Sequence, residues 1–315
     1  PGNCLKLKNH NVNRQEIIGY LYALGATAIW SGNVAIARGL FNDIPPVSLA
    51  FWRWVVAVIV TLPFGLKWLI AERKLLIKHL PYLMFTALLG ITLFNTLLYI
   101  AGHTTTAINL SLISITFPIF IILLSRIFFQ EQITLNRWLG IILVVSGIIL
   151  LITKGNPAKL LDITFAVGDV LMLIAAFVFA LYGIKIKQKP AEMNMWTFQF
   201  STFALGLIFL LPAYAWEYFT VPPVMFTPKI VAAILYIGIF ASLVAFILWN
   251  KAIETIGPSK TGLAYYSMPL FGGTLAFLFL KEEISILHLY CVLLIVAGIL
   301  IANYEKRRPA ESEIP

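Results

Sequence analysis

The chain is 315 residues long, 60% hydrophobic and 12% charged, with a mean hydropathy of +0.90. A soluble domain is about half apolar and about a quarter charged, so this composition excludes that class and points to a chain that lives mostly in lipid. The formal charge of +9 would suit nucleic acid elsewhere, but here the basic residues stand between apolar runs, where a bilayer is a sufficient partner and no nucleic acid is expected.

Windows of about 19 residues pick out ten apolar helices. They run Ile17–Arg38, Val47–Ile70, Pro81–His103, Ala107–Phe129, Leu135–Thr153, Ile163–Lys185, Trp196–Tyr218, Ile230–Ala252, Pro258–Leu280 and Ile284–Tyr304. Runs this long must be helical, because hydrocarbon leaves an open strand edge without partners. A closed β-barrel would alternate in segments of about ten residues, and no such alternation is present. The first run is long enough to span, so no cleavable leader is expected. Cys4 and Cys291 are far apart and suggest neither a disulfide framework nor a thiolate metal site.

Lysine and arginine set the orientation. With the N-terminus inside, only Arg38, Lys154, Lys159, Lys229 and Lys281 fall in outer segments; Arg53 lies within the second helix and the remaining basic residues are inside. That bias predicts that both termini are cytoplasmic.

A shift of 151 residues superposes Pro118 on Pro269, Glu131 on Glu282 and Gly147 on Gly298, and a shift of 149 superposes Gly19 on Gly168 and Pro63 on Pro212. Proline, glutamate and glycine in one register are hard to obtain by chance from apolar composition. The expectation is an all-α polytopic membrane protein whose ten transmembrane helices form two five-helix repeats. Five is odd, so the repeats are inverted, an arrangement suited to alternating access. The segments read as 1–15 cytoplasmic, 16–153 and 154–304 the repeats, and 305–315 a cytoplasmic tail.

Pro118 and Pro269 lie mid-helix, where each frees a carbonyl four residues earlier. They read as packing kinks or as helix breaks that gate a passage. Ser114, Thr116, Tyr265, Tyr266 and Ser267 add polar groups beside them. Trp30 and Asn33 share a face of the first helix; Asn95, Tyr99 and His103 form a stripe on the third; Trp249 and Asn250 sit on the eighth. Each is either interhelical glue or the lining of a cavity. Trp249, Trp216 and Trp68, near helix ends, read as interfacial belt.

Arg53 lies about two turns into its helix. It must snorkel, pair structurally, or attract a carboxylate substrate; its repeat mate is Thr202, so any such role is one-sided. No carboxylate falls at midplane depth, so ion coupling is not supported. Glu131 and Glu282 read as structural, accepting from amides of the helices that start near Thr134 and Ser285. The histidines His10, His79, His103 and His288 show no metal spacing, and no phosphate loop or nucleophile elbow is present. No enzyme, cofactor or metal is expected.

The run Ile29-Trp30-Ser31-Gly32-Asn33, Arg53, Trp249-Asn250-Lys251-Ala252 before Gly257-Pro258, and the paired Pro118/Glu131 and Pro269/Glu282 signatures resemble the EamA branch of the drug/metabolite transporter superfamily. Ser31 and Gly32 stand in swapped order relative to that family's first-helix motif. The resemblance implies a carrier, typically of a bacterial inner membrane, that exports amino acids or related metabolites. It also implies a central cavity lined from helices 1, 3, 4, 6, 8 and 9, which places Trp30, Asn33, Asn95, Tyr99, Tyr182, Asn250, Tyr265 and Tyr266 around the substrate; Ser114, beside Pro118, is counted with them as a ninth. A multidrug exporter, a nucleotide-sugar or phosphate-sugar exchanger, and a non-transporting membrane enzyme or receptor are the alternatives.

Overall fold

The computed structural model describes residues 14–40, 43–105, 107–153, 155–161, 166–280 and 286–304. Among these residues there is no strand. The helices are α1 Arg14–Gly39, α2 Pro46–Ala71, the short α3 Arg73–Lys78, α4 Leu80–Ala87, α5 Phe94–Thr104, α6 Ala107–Ser114, α7 Thr116–Phe129 and α8 Leu135–Ile152. They continue with α9 Val167–Lys187, α10 Met195–Thr220, α11 Pro228–Tyr236, α12 Ala245–Ala264, α13 Met268–Leu280 and α14 Ile286–Asn303. A π segment, Leu88–Leu93, joins α4 to α5, and a second, Ile237–Val244, joins α11 to α12.

Local chemistry explains the helix starts. Pro46 and Pro228 stand at first positions, where a missing amide costs nothing. Thr134, Asn194 and Thr227 cap α8, α10 and α11 by accepting from backbone amides of the first turn. Six stretches of the described residues are long and apolar enough to cross a membrane. One of them, Pro228–Gly272, is 45 residues long, against about 20 for a single crossing. It is broken at Gly257, whose φ of 82° suits glycine. Pro258 follows and starts the next helical run.

Two further interruptions lie just before Pro118 and Pro269. The fourth predicted helix is split at Ile115, three residues before Pro118, and the ninth carries a 3-10 turn, Tyr265–Ser267, just before Pro269. The two breaks are repeat mates. Tyr266 of the second break donates to the Ile115 carbonyl of the first at 3.1 Å. Ser31 donates to the Met268 carbonyl at 3.0 Å.

The repeat is visible in the packing. A shift of 149 carries α2 onto α10, and a shift of 151 carries α8 onto α14; each of these helices packs against its own mate. Phe51 stacks on Tyr214 at 4.0 Å and Phe64 on Trp196 at 5.3 Å, so α2 and α10 run antiparallel. Their ends are capped reciprocally. The Glu217 carboxylate of α10 accepts from the Val47 and Ser48 amides at 3.0 and 2.5 Å, and Glu72 accepts from the Asn194 amide at 3.1 Å. Helices α8 and α14 are also antiparallel and approach through glycine. A Cβ on Gly140 would fall 2.4 Å from the Gly298 carbonyl, and one on Gly298 2.7 Å from the Gly140 carbonyl. Gly19 packs against Ile256 and Gly168 against Thr105, one contact repeated in the two halves.

Large apolar side chains such as Ile59, Phe64, Ile127, Leu135 and Ile142 are exposed on the outside, as a lipid-facing surface requires. Trp68 and Trp216 are exposed near helix ends. Trp249 is fully buried, which corrects its assignment to an interfacial belt: it lies in an aromatic cluster inside the bundle.

Candidate functional site

One end of the bundle carries Glu72, Lys187, Lys189 and Lys260 and is called the basic end here; the other, the far end, carries Thr105, Ile152, Asp169 and Thr220. A cavity of about 340 Å³ lies in the half toward the far end. Its walls are mainly apolar: Leu98, Leu110, Ile148, Leu151, Ile152 and Met172, with Phe94, Phe179 and Phe246 deeper. The polar lining is sparse, made of Ser31, Asn33, Arg53, Asn95, Ser114, Tyr265 and Tyr266. Among the described residues no carboxylate lines it. At the rim, Asp169 holds the start of α9, accepting from the Ala166 amide at 2.7 Å and from Asn109 at 2.8 Å.

Trp30 forms much of the floor. Its indole donates to the Ala241 carbonyl at 2.9 Å, and its ring meets Phe179, Phe246 and Trp249 at centroid distances of 5.6, 5.7 and 5.1 Å. The carbonyl it uses belongs to the second π segment, whose looser turn offers an acceptor that a regular helix would not.

Arg53 is 1% exposed, so it does not snorkel. Both π segments serve it. Its Nε donates to Ser242 at 2.7 Å, and its Nη1 donates to Asn95 at 2.9 Å and to the Tyr99 hydroxyl at 2.5 Å. Asn95 is oriented by donating to the Gly90 carbonyl at 3.0 Å, and Ser242 by donating to the Ile237 carbonyl at 3.0 Å. The guanidinium carbon stands 5.1 Å from the Trp54 ring centroid. Each of these partners is neutral.

Six of the nine residues expected around the substrate line this cavity: Trp30, Asn33, Asn95, Ser114, Tyr265 and Tyr266. Tyr99 stands behind Arg53, with its hydroxyl 3.5 Å from Asn33. Tyr182 and Asn250 are placed apart from the cavity. The Tyr182 hydroxyl donates to Asn250 at 3.0 Å, and Asn250 donates to Gln199 at 3.1 Å. This second polar cluster is fully buried. It mirrors the first: Asn33 and Tyr182 are mates, as are Tyr99 and Asn250, so the tyrosine–asparagine pair recurs with its members exchanged.

Between the cavity and the basic end the helices close together, leaving at that end only a surface groove of about 500 Å³ beside Glu131, Ser259 and Lys260 among the described residues. Ile121 of α7 inserts between α9 and α12, where a Cβ on Gly183 or Gly262 would come within 2.7 or 2.3 Å of it. Lys260 pairs with Glu16 at 2.8 Å and Lys189 with Glu254 at 3.4 Å. Glu131 belongs to the same seal. Its expected role at the start of α8 is filled instead by Thr134, whose side chain is nearer the amides. Glu131 accepts from Ser259 just beyond Pro258 and lies 3.6 Å from Arg137. Glu282 lies outside the described residues. Pro269 lines the cavity, whereas Pro118 is buried beside it.

Sequence reasoning missed Ser242 and Gln199. Ser242 is the one hydroxyl in an otherwise apolar run from Ile237 to Val244, and that isolation was the available signal. Gln199 lies one turn before Thr202, the mate of Arg53, and is 0% exposed.

Comparison with known proteins accounts for this arrangement. The family model described as EamA-like transporter matches the chain twice, over residues 17–153 and 166–304. The chain is 27% identical over 283 residues to an uncharacterized transporter of Archaeoglobus fulgidus, covering 89% of this chain and 95% of the relative. It is 24% identical over 293 residues to the uncharacterized transporter YyaM of Bacillus subtilis, covering 92% and 95%. It is 26% identical over 302 residues to protein PecM of Dickeya dadantii, covering 92% and 96%. A solved crystal structure superposes with a TM-score of 0.72 at 17% identity, covering 90% of this chain and 96% of that one, which is a likeness of fold. With two matching units in tandem and a buried, polar-studded cavity between their helices, the chain belongs to the EamA-like transporter family and is a transporter rather than an enzyme.

Proposed function

We propose that the protein is a secondary transporter that moves small metabolites, amino acids and related compounds, outward by alternating access. The observation that carries this reading is the cavity: roomy toward the far end, floored by Trp30, Phe179 and Phe246, and closed toward the basic end by the Ile121 wedge. In this reading ten helices cross the membrane as two inverted five-helix repeats, 16–153 and 154–304. The antiparallel packing of α2 on α10 and of α8 on α14 supports it. Both termini are cytoplasmic, by the lysine and arginine bias, and the membrane is the bacterial inner membrane. The far end is then the outside, and the described conformation is outward-open.

Rocking the halves exchanges the open and sealed ends, with the breaks before Pro118 and Pro269 as flexing points. The absence of a lining carboxylate among the described residues favours facilitated diffusion or exchange over proton coupling. The test is counterflow in proteoliposomes loaded with unlabelled amino acids and small metabolic acids. Accumulation of a labelled member of that set is expected; no counterflow by any of them, with a proton-driven dye flux instead, would overturn the reading.

A further inference from the structure

Arg53 has five N–H donors, and its protein partners use three of them. Nε serves Ser242, and Nη1 serves Asn95 and Tyr99. Nη2 donates to no described residue, yet it is not among the polar atoms sealed away without a partner, unlike Trp54 Nε1 or Gln199 Nε2. It therefore keeps accessible surface. The side chain is 1% exposed and lines the cavity, so that surface faces the cavity. A guanidinium is charged at any physiological pH. Here it is buried with neutral partners and, among the described residues, no carboxylate beside it, a condition that is costly inside a membrane protein unless a counter-charge arrives.

The second half of the molecule is built without this charge. The equivalent position in the second half holds Thr202, whose hydroxyl bonds back to the Phe198 carbonyl at 2.9 Å. The second tyrosine–asparagine pair is completed by neutral Gln199. The same packing role is thus filled without a cation.

We infer that the cavity takes organic monoanions, a carboxylate on an apolar or aromatic body, with Arg53 Nη2 as the anion's donor. The inference rests on the transporter reading and narrows its substrate class. The carboxylate sits against Nη2 beside Asn33 and Asn95. The apolar body lies on Trp30, Phe179 and Phe246, as the small polar share of the lining demands. A zwitterionic amino acid brings an ammonium for which the described lining has no carboxylate. It therefore binds more weakly than the corresponding acid.

The experiment begins with the unaltered protein, purified in detergent. Thermal shifts are recorded with phenylpropionate, its neutral amide, zwitterionic phenylalanine and phenethylamine. Phenylpropionate is expected to stabilise at concentrations at least tenfold lower than phenylalanine or the amide, and phenethylamine not at all. Equal stabilisation by acid and amide, or no stabilisation by the acid, overturns the inference without any variant. Arg53→Met, which removes the buried charge without opening a hole, is expected to keep the fold and abolish the preference for acid over amide. Arg53→Lys keeps charge but loses the fork and weakens acid binding about tenfold. If Arg53→Met retains the preference, the donor is wrong. Counterflow separates the two readings: flux of neutral or cationic compounds alone sinks this inference and spares the transporter reading, whereas acid-specific stabilisation with no flux of any compound does the reverse.

Discussion

Glu217 shows how a single carboxylate can be placed by tertiary structure alone. It ends α10 in the sequence but serves the start of α2, accepting from two amides and from the Ser48 hydroxyl at 2.7 Å. Hydrogen bonds to a buried charged group contribute about 1.5–3 kcal/mol, and the helix N-terminus adds to that. Glu217→Ala should therefore lower unfolding stability by about 2 kcal/mol, read by denaturant titration in detergent. Counterflow of the folded fraction should be nearly unchanged, because the residue stands away from the cavity. Arg53 illustrates the complementary case. Its cost inside an apolar helix is legible from residue type and position, but Ser242 reaches it from 189 residues away, and no local pattern links the two.

At the level of helices, the glycines divide into those that permit contact and those that do not. Gly140 and Gly298 let α8 and α14 meet backbone to backbone, the small-residue packing that lipid favours because no hydrophobic force joins the helices. Gly140→Leu should destabilise by about 3 kcal/mol through overpacking. Gly102, in α5, has no described residue within 4 Å of where a Cβ would stand; Gly102→Ala should be neutral or stabilising by about 0.5 kcal/mol. Parallel thermal unfolding of the two variants checks the contrast. The π segments, by comparison, were not legible. Leu88–Leu93 and Ile237–Val244 read as ordinary apolar helix, since a widened turn depends on what its loosened carbonyls can bond. Here those bonds go to Asn95, Ser242 and Trp30.

Across the molecule, the polar clusters fall toward opposite ends. The charged one lies under the open far end and the neutral one toward the sealed basic end. Alternating access of two inverted units would expose them in turn. The proposed inversion makes a direct prediction. Arg73 and Pro222 are repeat mates at a shift of 149 and both are exposed, so single cysteines there should react from opposite faces. In a Cys4→Ser, Cys291→Ala background, an impermeant maleimide added to intact cells should label Pro222→Cys, and should label Arg73→Cys only after permeabilisation. Labelling of both from one face contradicts the inverted arrangement.

Membrane class and the duplication were readable from residue order. They follow from hydrophobic run length, backbone chemistry and spacing along the chain, which are local or strictly periodic. Which polar side chains share a cavity was not readable. Tyr182 and Asn250 look as suited to a substrate as Asn33 and Asn95, and only the packing separates them, because the sealed end closes over the first pair and the open end leaves the second accessible. Glu131 turned toward Ser259 rather than the helix after it for the same reason: distances in space, set by how α7 and α12 pack, outrank distances along the chain.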